Sequence, residues 1–146
     1  TAVRDDLRLL AVVLGSPSDA SRETDTKNLL DYGFRRYHNY LAGTSGNIYG
    51  QVHIWNGNPK TADAVLADDL FVTVERGREG ELTYETTLYQ DLRAPLDKDS
   101  TVGTIEVLLD GQVLATAALV ASTEIERASF FGLVSRTIKA MAEAVF

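Results

Sequence analysis

Apolar residues near the amino end predict one strand followed by one helix. Residues 7–14 are almost all apolar and end at Gly15, which is typical of a strand buried on both faces in the middle of a sheet. Serines and a proline between Ser16 and Ser21 predict that a helix begins there. Gly43 is predicted to end this helix, whose apolar stripe comprises Leu29, Leu30, Phe34, Tyr37, Tyr40 and Leu41.

Beyond Gly43 the pattern changes to short runs typical of β-strands. These runs cover residues 48–55, 70–74, 82–88, 102–109 and 113–120, with turn-forming residues between them. The clearest hairpin is predicted at Asp110-Gly111, because both central residues of a type I′ turn need a positive φ. We therefore expect an α+β chain with a small all-β domain over residues 43–126, antiparallel and sandwich-like.

The last segment, residues 127–146, is predicted to contain an amphipathic helix. At about 100° per residue, one third of the helical wheel carries the large apolar side chains Phe130, Phe131, Val134, Ile138, Met141 and Val145. Charged residues interrupt the segment, so lying in a membrane interface fits better than spanning a bilayer. The alternative is that this face packs on the protein's own core or on a partner subunit.

The amino-terminal strand and helix carry apolar surface that they cannot cover for each other. A strand buried on both faces needs neighbouring strands and a layer on each side, which a single helix does not provide. We therefore expect residues 1–42 to be the incomplete, closing edge of a larger α/β domain. The alternative is that they pack on the β domain or on a second copy of the chain.

Composition narrows the class of function. The 146 residues are 45% hydrophobic, enough for a core, and the formal net charge of -7 argues against a nucleic-acid partner. There is no cysteine, so disulfides, thiolate chemistry and cysteine zinc sites are excluded. No signal peptide is visible at Thr1, which does not place the chain in the cytoplasm, because an exported protein has lost its signal.

Seven short stretches, in order and at their spacing, carry a resemblance to one family. They are RLLAVVLG at 8–15, KNLLDYGF at 27–34, VERGR at 74–78, APL at 94–96, VGTI at 102–105, LDG at 109–111 and FFG at 130–132. The set resembles the C-terminal portion of the low-molecular-mass penicillin-binding proteins, which are serine D-alanyl-D-alanine carboxypeptidases. The resemblance covers essentially the whole chain.

This resemblance implies a role for each segment. Residues 1–42 would be the last strand and helix of a penicillin-recognising peptidase domain, residues 43–126 a β-rich domain that positions the active site away from the membrane, and residues 127–146 a membrane anchor. In the family, the whole protein trims the terminal D-alanine of peptidoglycan pentapeptides during cell-wall synthesis. The implied location is periplasmic and peripheral on the outer face of the cytoplasmic membrane. The implied partners are the upstream catalytic domain of the same polypeptide, inner-membrane lipid and peptidoglycan.

The catalytic motifs of that family are not found in these 146 residues. No Ser-x-x-Lys occurs, and Ser135 and Lys139 are four residues apart on the polar face of the tail. Ser45-Gly46-Asn47 spells a second family motif but lies in a predicted turn, and Lys60-Thr61 lacks the glycine of the third. We expect no catalytic residue in this chain, which should be inactive alone.

No cofactor or metal site is predicted. His38 and His53 have no carboxylate or second histidine at ligand spacing, and we expect ordinary surface residues. Asp5-Asp6 and Asp68-Asp69 accompany no EF-hand pattern. Trp55, with Tyr49 and Tyr40, suggests a saccharide-stacking surface, although packing explains these aromatic residues at least as well.

Three functions remain open on the sequence. The first is the non-catalytic portion of an exported carboxypeptidase, and the second is a stand-alone β-rich module whose terminal helix binds a protein partner. The third is a hydrolase that uses Ser45. Acylation by a fluorescent penicillin separates them, because we expect this chain to stay unlabelled without the upstream domain.

Overall fold

The computed structural model describes residues 1–128, which form a mostly β structure with one α-helix. The strands are β1 Ala2–Arg4, β2 Leu7–Leu9, β3 Tyr37–Gly43, β4 Ile48–Trp55, β5 Gly57–Asn58, β6 Thr61–Leu66, β7 Leu70–Glu75, β8 Thr83–Leu88, β9 Leu92–Arg93, β10 Thr101–Leu109, β11 Gln112–Ala121 and β12 Glu126–Arg127. The helix α1 spans Asp19–Arg36, and a 3₁₀ turn spans Glu79–Glu81. The predicted helix over residues 130–146 lies outside the described residues.

The chain forms two compact units. Within the described residues, unit 1 comprises residues 1–44, 69–85 and 106–116, and unit 2 comprises residues 45–68, 86–105 and 117–128. The boundaries fall inside β8, β10 and β11, which belong to the largest sheet, of order β8-β10-β11-β6-β4-β9. The division at residue 43 stays a prediction.

Unit 1 combines the hairpin β1–β2, helix α1 and the strand pair β3–β7. Helix α1 begins where predicted, since Ser18 is its N-cap and the hydroxyl Oγ accepts from the N–H of Ser21 at 3.2 Å. The core of this unit comprises Val72, Val74, Leu82 and Val107, with Tyr40 and Leu109 packed against it. The other partly buried members of the cluster are Ala42, Leu70 and Ala115.

The predicted end of the helix at Gly43 is wrong. Helix α1 stops at Arg36, and Tyr37, Tyr40 and Leu41 lie in β3, which pairs antiparallel with β7 from Tyr37↔Glu75 to Gly43↔Leu70. The residues 37–41 are rich in aromatic side chains with strand preference, and pairing with a distant strand overrides their helical spacing. His38 therefore lies on a strand rather than at the edge of a helix.

Unit 2 is built around β4, which pairs antiparallel with β6 and parallel with β9. Strand β6 in turn pairs with β11 through Leu119↔Leu66 and the two following pairs. Ile54, Leu119 and Ile125 are fully buried. Strand β4 has the bounds that the sequence predicted, whereas β6 was missed and begins at Thr61, a residue read as a turn.

The predicted hairpin turn at Asp110-Gly111 is confirmed. Asp110 has a φ of 52° and Gly111 a φ of 75°, so both central residues adopt the left-handed conformation that a type I′ turn needs. The strands on either side, β10 and β11, lie within two residues of their predicted bounds.

Candidate docking surface at the amino end

The apolar run at the amino end forms a shorter strand than predicted. Strand β2 covers Leu7–Leu9 and pairs only with β1 in a two-stranded hairpin, while residues 10–14 belong to no strand of the described chain. Leu10, Val12 and Leu14 are 73%, 69% and 87% exposed. Their alternating exposure gives this segment an apolar face, and β2, which the segment follows, pairs only with β1 within the described chain.

A groove of about 630 Å³ lies between the start of β1 and helix α1. Ala2, Leu30 and Phe34 supply apolar lining, and Arg22, Glu23 and Lys27 are among the charged residues around it. Leu30 and Phe34 belong to the helical stripe that the sequence predicted, so one side of that stripe faces the groove rather than a protein layer. An apolar floor with a charged rim is typical of a surface that receives another polypeptide.

The groove walls are held together by Arg4. Its Nη2 donates to Asp31 Oδ1 at 2.7 Å, and its guanidinium carbon lies 4.7 Å from the ring centroid of Phe34. A Cβ added at Gly33 would lie 2.6 Å from Cδ1 of Leu9, so the glycine permits the close approach of α1 to β2. Nothing in the sequence pattern marked Arg4 or Asp31, which are 27 positions apart.

We call the exposed face of residues 10–14 together with this groove the amino-end surface. It contains exposed apolar side chains and a wall formed by helix α1. It brings no catalytic group together. Such a surface can extend or cover a sheet, and it is the part of unit 1 best suited to bind polypeptide.

Two charged pairs lie beyond the groove. One connects the end of α1 to the end of β7, and the other connects β3 to the 3₁₀ turn that follows β7. Arg36 pairs with Glu75, which raises the pKa of the Arg36 guanidinium. His38 Nε2 lies 3.1 Å from Glu79 Oε1, so the fold gives the histidine a carboxylate partner that the spacing in the sequence does not show. The N–H groups of Glu79 itself and of Gly77 lower the pKa of the Glu79 carboxyl, and His38 adds to this effect.

A second cluster joins two of the stretches that carried the family resemblance. Arg78 Nη2 donates to both carboxylate oxygens of Asp110, at 3.0 and 2.8 Å, and its Nε donates to Glu81 at 3.0 Å. These two carboxylates raise the pKa of the Arg78 guanidinium. The cluster ties the hairpin turn to the 3₁₀ turn, which is a structural role rather than a chemical one.

The other candidate residues of the sequence analysis do not come together in one site within residues 1–128. Ser45 lies in the turn after β3, as predicted, and Gly46 in that turn donates its N–H to Leu66. His53 lies exposed on β4, and its ring contacts the edge of Trp55. Residues 1–128 contain no cluster of three histidine or carboxylate groups that could hold a metal, and no helix long and apolar enough to cross a membrane.

The residues predicted to associate with a membrane all lie outside the described part of the chain. They are Phe130, Phe131, Val134, Ile138, Met141 and Val145. Their role is therefore still a prediction.

Comparison with known proteins identifies related sequences. Residues 40–127 match the family model described as penicillin-binding protein 5, C-terminal domain. The D-alanyl-D-alanine carboxypeptidase DacA of Escherichia coli K12 is 32% identical over 142 residues, which cover 97% of this chain and 35% of that protein. DacC of the same strain, also a D-alanyl-D-alanine carboxypeptidase, is 30% identical over 135 residues, 92% of this chain and 34% of the relative.

Solved structures resemble the chain over the same region. Penicillin-binding protein 5 from Haemophilus influenzae matches with a TM-score of 0.67 and 26% identity, over 79% of this chain and 34% of that one. PBP3 from Streptococcus pneumoniae, a peptidoglycan synthesis regulatory factor, matches with a TM-score of 0.64 and 22% identity, over 74% and 32%, which supports the fold alone. The chain spans about a third of the length of the curated relatives it matches.

Proposed function

This chain belongs to the family of the penicillin-binding protein 5 C-terminal domain, and we propose that it is the non-catalytic C-terminal portion of a serine-type D-alanyl-D-alanine carboxypeptidase. The observation that carries the proposal is the amino-end surface, where Leu10, Val12 and Leu14 are exposed and a groove opens along α1. The relatives are about three times as long as this chain, which leaves room for a catalytic domain in the same polypeptide.

In this proposal, residues 1–42 complete the upstream catalytic domain. Residues 10–14 add a strand to its sheet, and the groove along α1 receives its side chains. Burial contributes about 1.5–3 kcal/mol for each Leu or Val side chain, so covering these three residues supplies several kcal/mol toward holding the domains together. The complete enzyme then removes the terminal D-alanine of peptidoglycan pentapeptides.

We propose that residues 43–126 position the active site away from the membrane and that residues 127–146 anchor the protein to its outer face, in the periplasm. Six large apolar side chains in the interface supply several kcal/mol at about 25 cal/mol per Å², part of which the ordering of the helix offsets. The basic residues Arg136 and Lys139 are opposed by Glu143, so attraction to anionic lipid through the tail is weak.

Labelling with a fluorescent penicillin tests the enzymatic part of the proposal. The 146-residue chain should remain unlabelled, because it contains no Ser-x-x-Lys, whereas the complete polypeptide should be acylated on its upstream serine. Labelling of the isolated chain at Ser45 would contradict this assignment and would favour the third function.

Sedimentation with lipid vesicles tests the anchor. Phe131→Glu should move the protein from the vesicle pellet to the supernatant, because a charge then lies on the apolar face. Ser135→Glu is the matched control, since it adds the same charge on the polar side of the wheel and should leave the pellet unchanged. Equal behaviour of the two variants would favour a protein partner for the helix.

A further inference from the structure

Trp55 is the one tryptophan of the sequence, and its side chain is 54% exposed. It is the last residue of β4, and His53 contacts it edge-on, with ring centroids 5.2 Å apart and planes at 89°. The histidine packs against the indole, and about half of the Trp55 surface remains open to solvent. An indole has an apolar body and one N–H donor, so an exposed one suits an interface that is apolar on one side and wet on the other.

The described chain ends beside this indole. Arg127 pairs with Gly57 in β12–β5, and the N–H of Ala128 donates to the carbonyl oxygen of Asn56, the residue after Trp55, at 2.7 Å. In the sequence, Phe130, the first residue of the predicted apolar stripe, follows Ala128 by two positions. The described chain therefore ends next to Trp55, directly before the segment predicted to be the anchor.

Basic residues lie on the segments around the same corner. Arg93 is the strand partner of Trp55, Arg127 is the partner of Gly57, and the carbonyl of Lys60 accepts from the N–H of Ile54. All three basic side chains are exposed, and so are the acidic residues Asp91, Glu124 and Glu126 near them in the sequence. The segments around the exposed indole therefore contribute three basic residues in a chain whose net charge is -7.

We propose that Trp55, Lys60, Arg93 and Arg127, here called the tryptophan rim, form a second membrane contact beside the anchor and rest in the headgroup layer of an anionic bilayer. An indole flanked by Lys and Arg is the combination that membrane interfaces favour, and basic side chains attract anionic lipid. The inference rests on the proposed function in one respect, that the tail is an anchor. Two adjoining contacts fix the orientation of unit 2 on the membrane, which a single anchoring helix does not.

Fluorescence of the single tryptophan tests this contact directly in the 146-residue chain. Vesicles of equal parts phosphatidylcholine and phosphatidylglycerol should shift the Trp55 emission to shorter wavelength. Lipid labelled with a quencher at the headgroup should quench it more than lipid labelled deep in the acyl chain. Sedimentation of the same samples reports the anchor separately.

A matched control uses Phe71, which is 55% exposed on β7 in unit 1. In a Trp55→Phe, Phe71→Trp variant the indole should bind to vesicles with the rest of the chain, yet its emission should be neither shifted nor quenched. Arg93→Gln and Arg127→Gln should each weaken partition into the anionic vesicles by about fivefold, and much less into pure phosphatidylcholine. Circular dichroism of each variant checks that the fold is retained.

The outcomes separate the inference from the anchor. A chain that sediments with vesicles while Trp55 emission stays unchanged overturns the tryptophan rim and leaves the anchor standing. A chain that does not sediment overturns both. Emission that responds to a chain of four β-1,4-linked N-acetylglucosamine units and not to vesicles identifies the corner as a saccharide surface and also overturns the inference.

Discussion

Two regions of this chain use the same kinds of apolar residue, and only one of them buries what it carries. In unit 2, Ile54, Leu119 and Ile125 are inaccessible to solvent. In unit 1, Leu10, Val12 and Leu14 are each more than two-thirds exposed. The difference teaches that an apolar pattern shows which residues need cover, whereas the neighbouring polypeptide decides whether they receive it.

The contrast has an energetic side. A domain is stable by only about 5–15 kcal/mol, and each large apolar side chain left in water forgoes about 1.5–3 kcal/mol. Unit 2 derives its stability from its own strands, whereas the amino-end surface gains its share only when another polypeptide covers it. The loss of stability caused by a substitution in the amino-end surface should therefore depend on whether the rest of the polypeptide is present. The loss caused by a substitution in the core of unit 2 should not.

Val12→Asp should have the largest effect, and it tests the difference between the two regions most directly. In the isolated chain it should change the free energy of unfolding by less than about 0.5 kcal/mol, because Val12 is already in water. In the complete polypeptide it should cost about 4 kcal/mol, because the carboxylate is buried without a partner. Denaturant unfolding of both forms measures the difference.

Val113→Asp is the control for that experiment, since Val113 is half exposed on β11 and should respond weakly in both forms. An equal loss for Val12→Asp in both forms would show that no upstream domain covers the amino-end surface.

Leu119→Ala should destabilise the isolated chain by about 3 kcal/mol, since it opens a cavity where no solvent reaches. Leu114→Ala, five residues earlier on the same strand and partly exposed, should cost less than about 1 kcal/mol. Thermal and denaturant unfolding measure both values. Similar losses at the two positions would mean that unit 2 lacks the tight core described here.

Much of the β structure was predictable because its signals are local. Strand β4 and the Asp110-Gly111 turn follow from residues adjacent in sequence. The end of α1 was not predictable in the same way, because Tyr37 and its neighbours form β3 by pairing with residues 27 to 38 positions away. Short-range helical spacing carries no information about that pairing.

The candidate site was predictable in kind and not in detail. The apolar run at residues 10–14 predicted a surface that other polypeptide buries, and in the structure Leu10, Val12 and Leu14 are exposed. The groove depends on the contact between Arg4 and Asp31, and the His38–Glu79 contact joins β3 to the 3₁₀ turn. The two residues of each pair are far apart in the sequence, so no spacing pattern predicts either contact. Such contacts arise from the fold, which brings distant residues together.

Gly103→Ala tests how closely β8 and β10 pack. A Cβ at Gly103 would lie 2.5 Å from the backbone oxygen of Thr87, which cannot turn aside, so we expect a loss of about 2 kcal/mol. Gly80 has no atom within 4 Å of an added Cβ, and Gly80→Ala should be neutral or slightly stabilising. Unfolding curves for the two variants give the comparison, and equal stability would show that β8 and β10 are less closely packed.

The smallest expected effect concerns Glu79, which lies in the 3₁₀ turn of unit 1. Because the pKa of its carboxyl is lowered in the folded protein, its ionised form stabilises the fold above the ordinary glutamate pKa, and this contribution is lost as pH falls through the lowered value. Glu79→Gln should therefore be less stable than the unmodified chain at neutral pH, and the gap in melting temperature should narrow in acid.

Glu85→Gln, on exposed β8, is the control for this titration. A gap for Glu79→Gln that does not change with pH would show that the carboxylate accepts no useful hydrogen bond from Gly77 or from its own N–H. If the gap narrows as expected, the N–H groups of Glu79 and Gly77 account for most of the change, and His38 on β3 adds a smaller share. The strand that the sequence pattern assigned to a helix would then be stabilised by a pair that only the fold brings together.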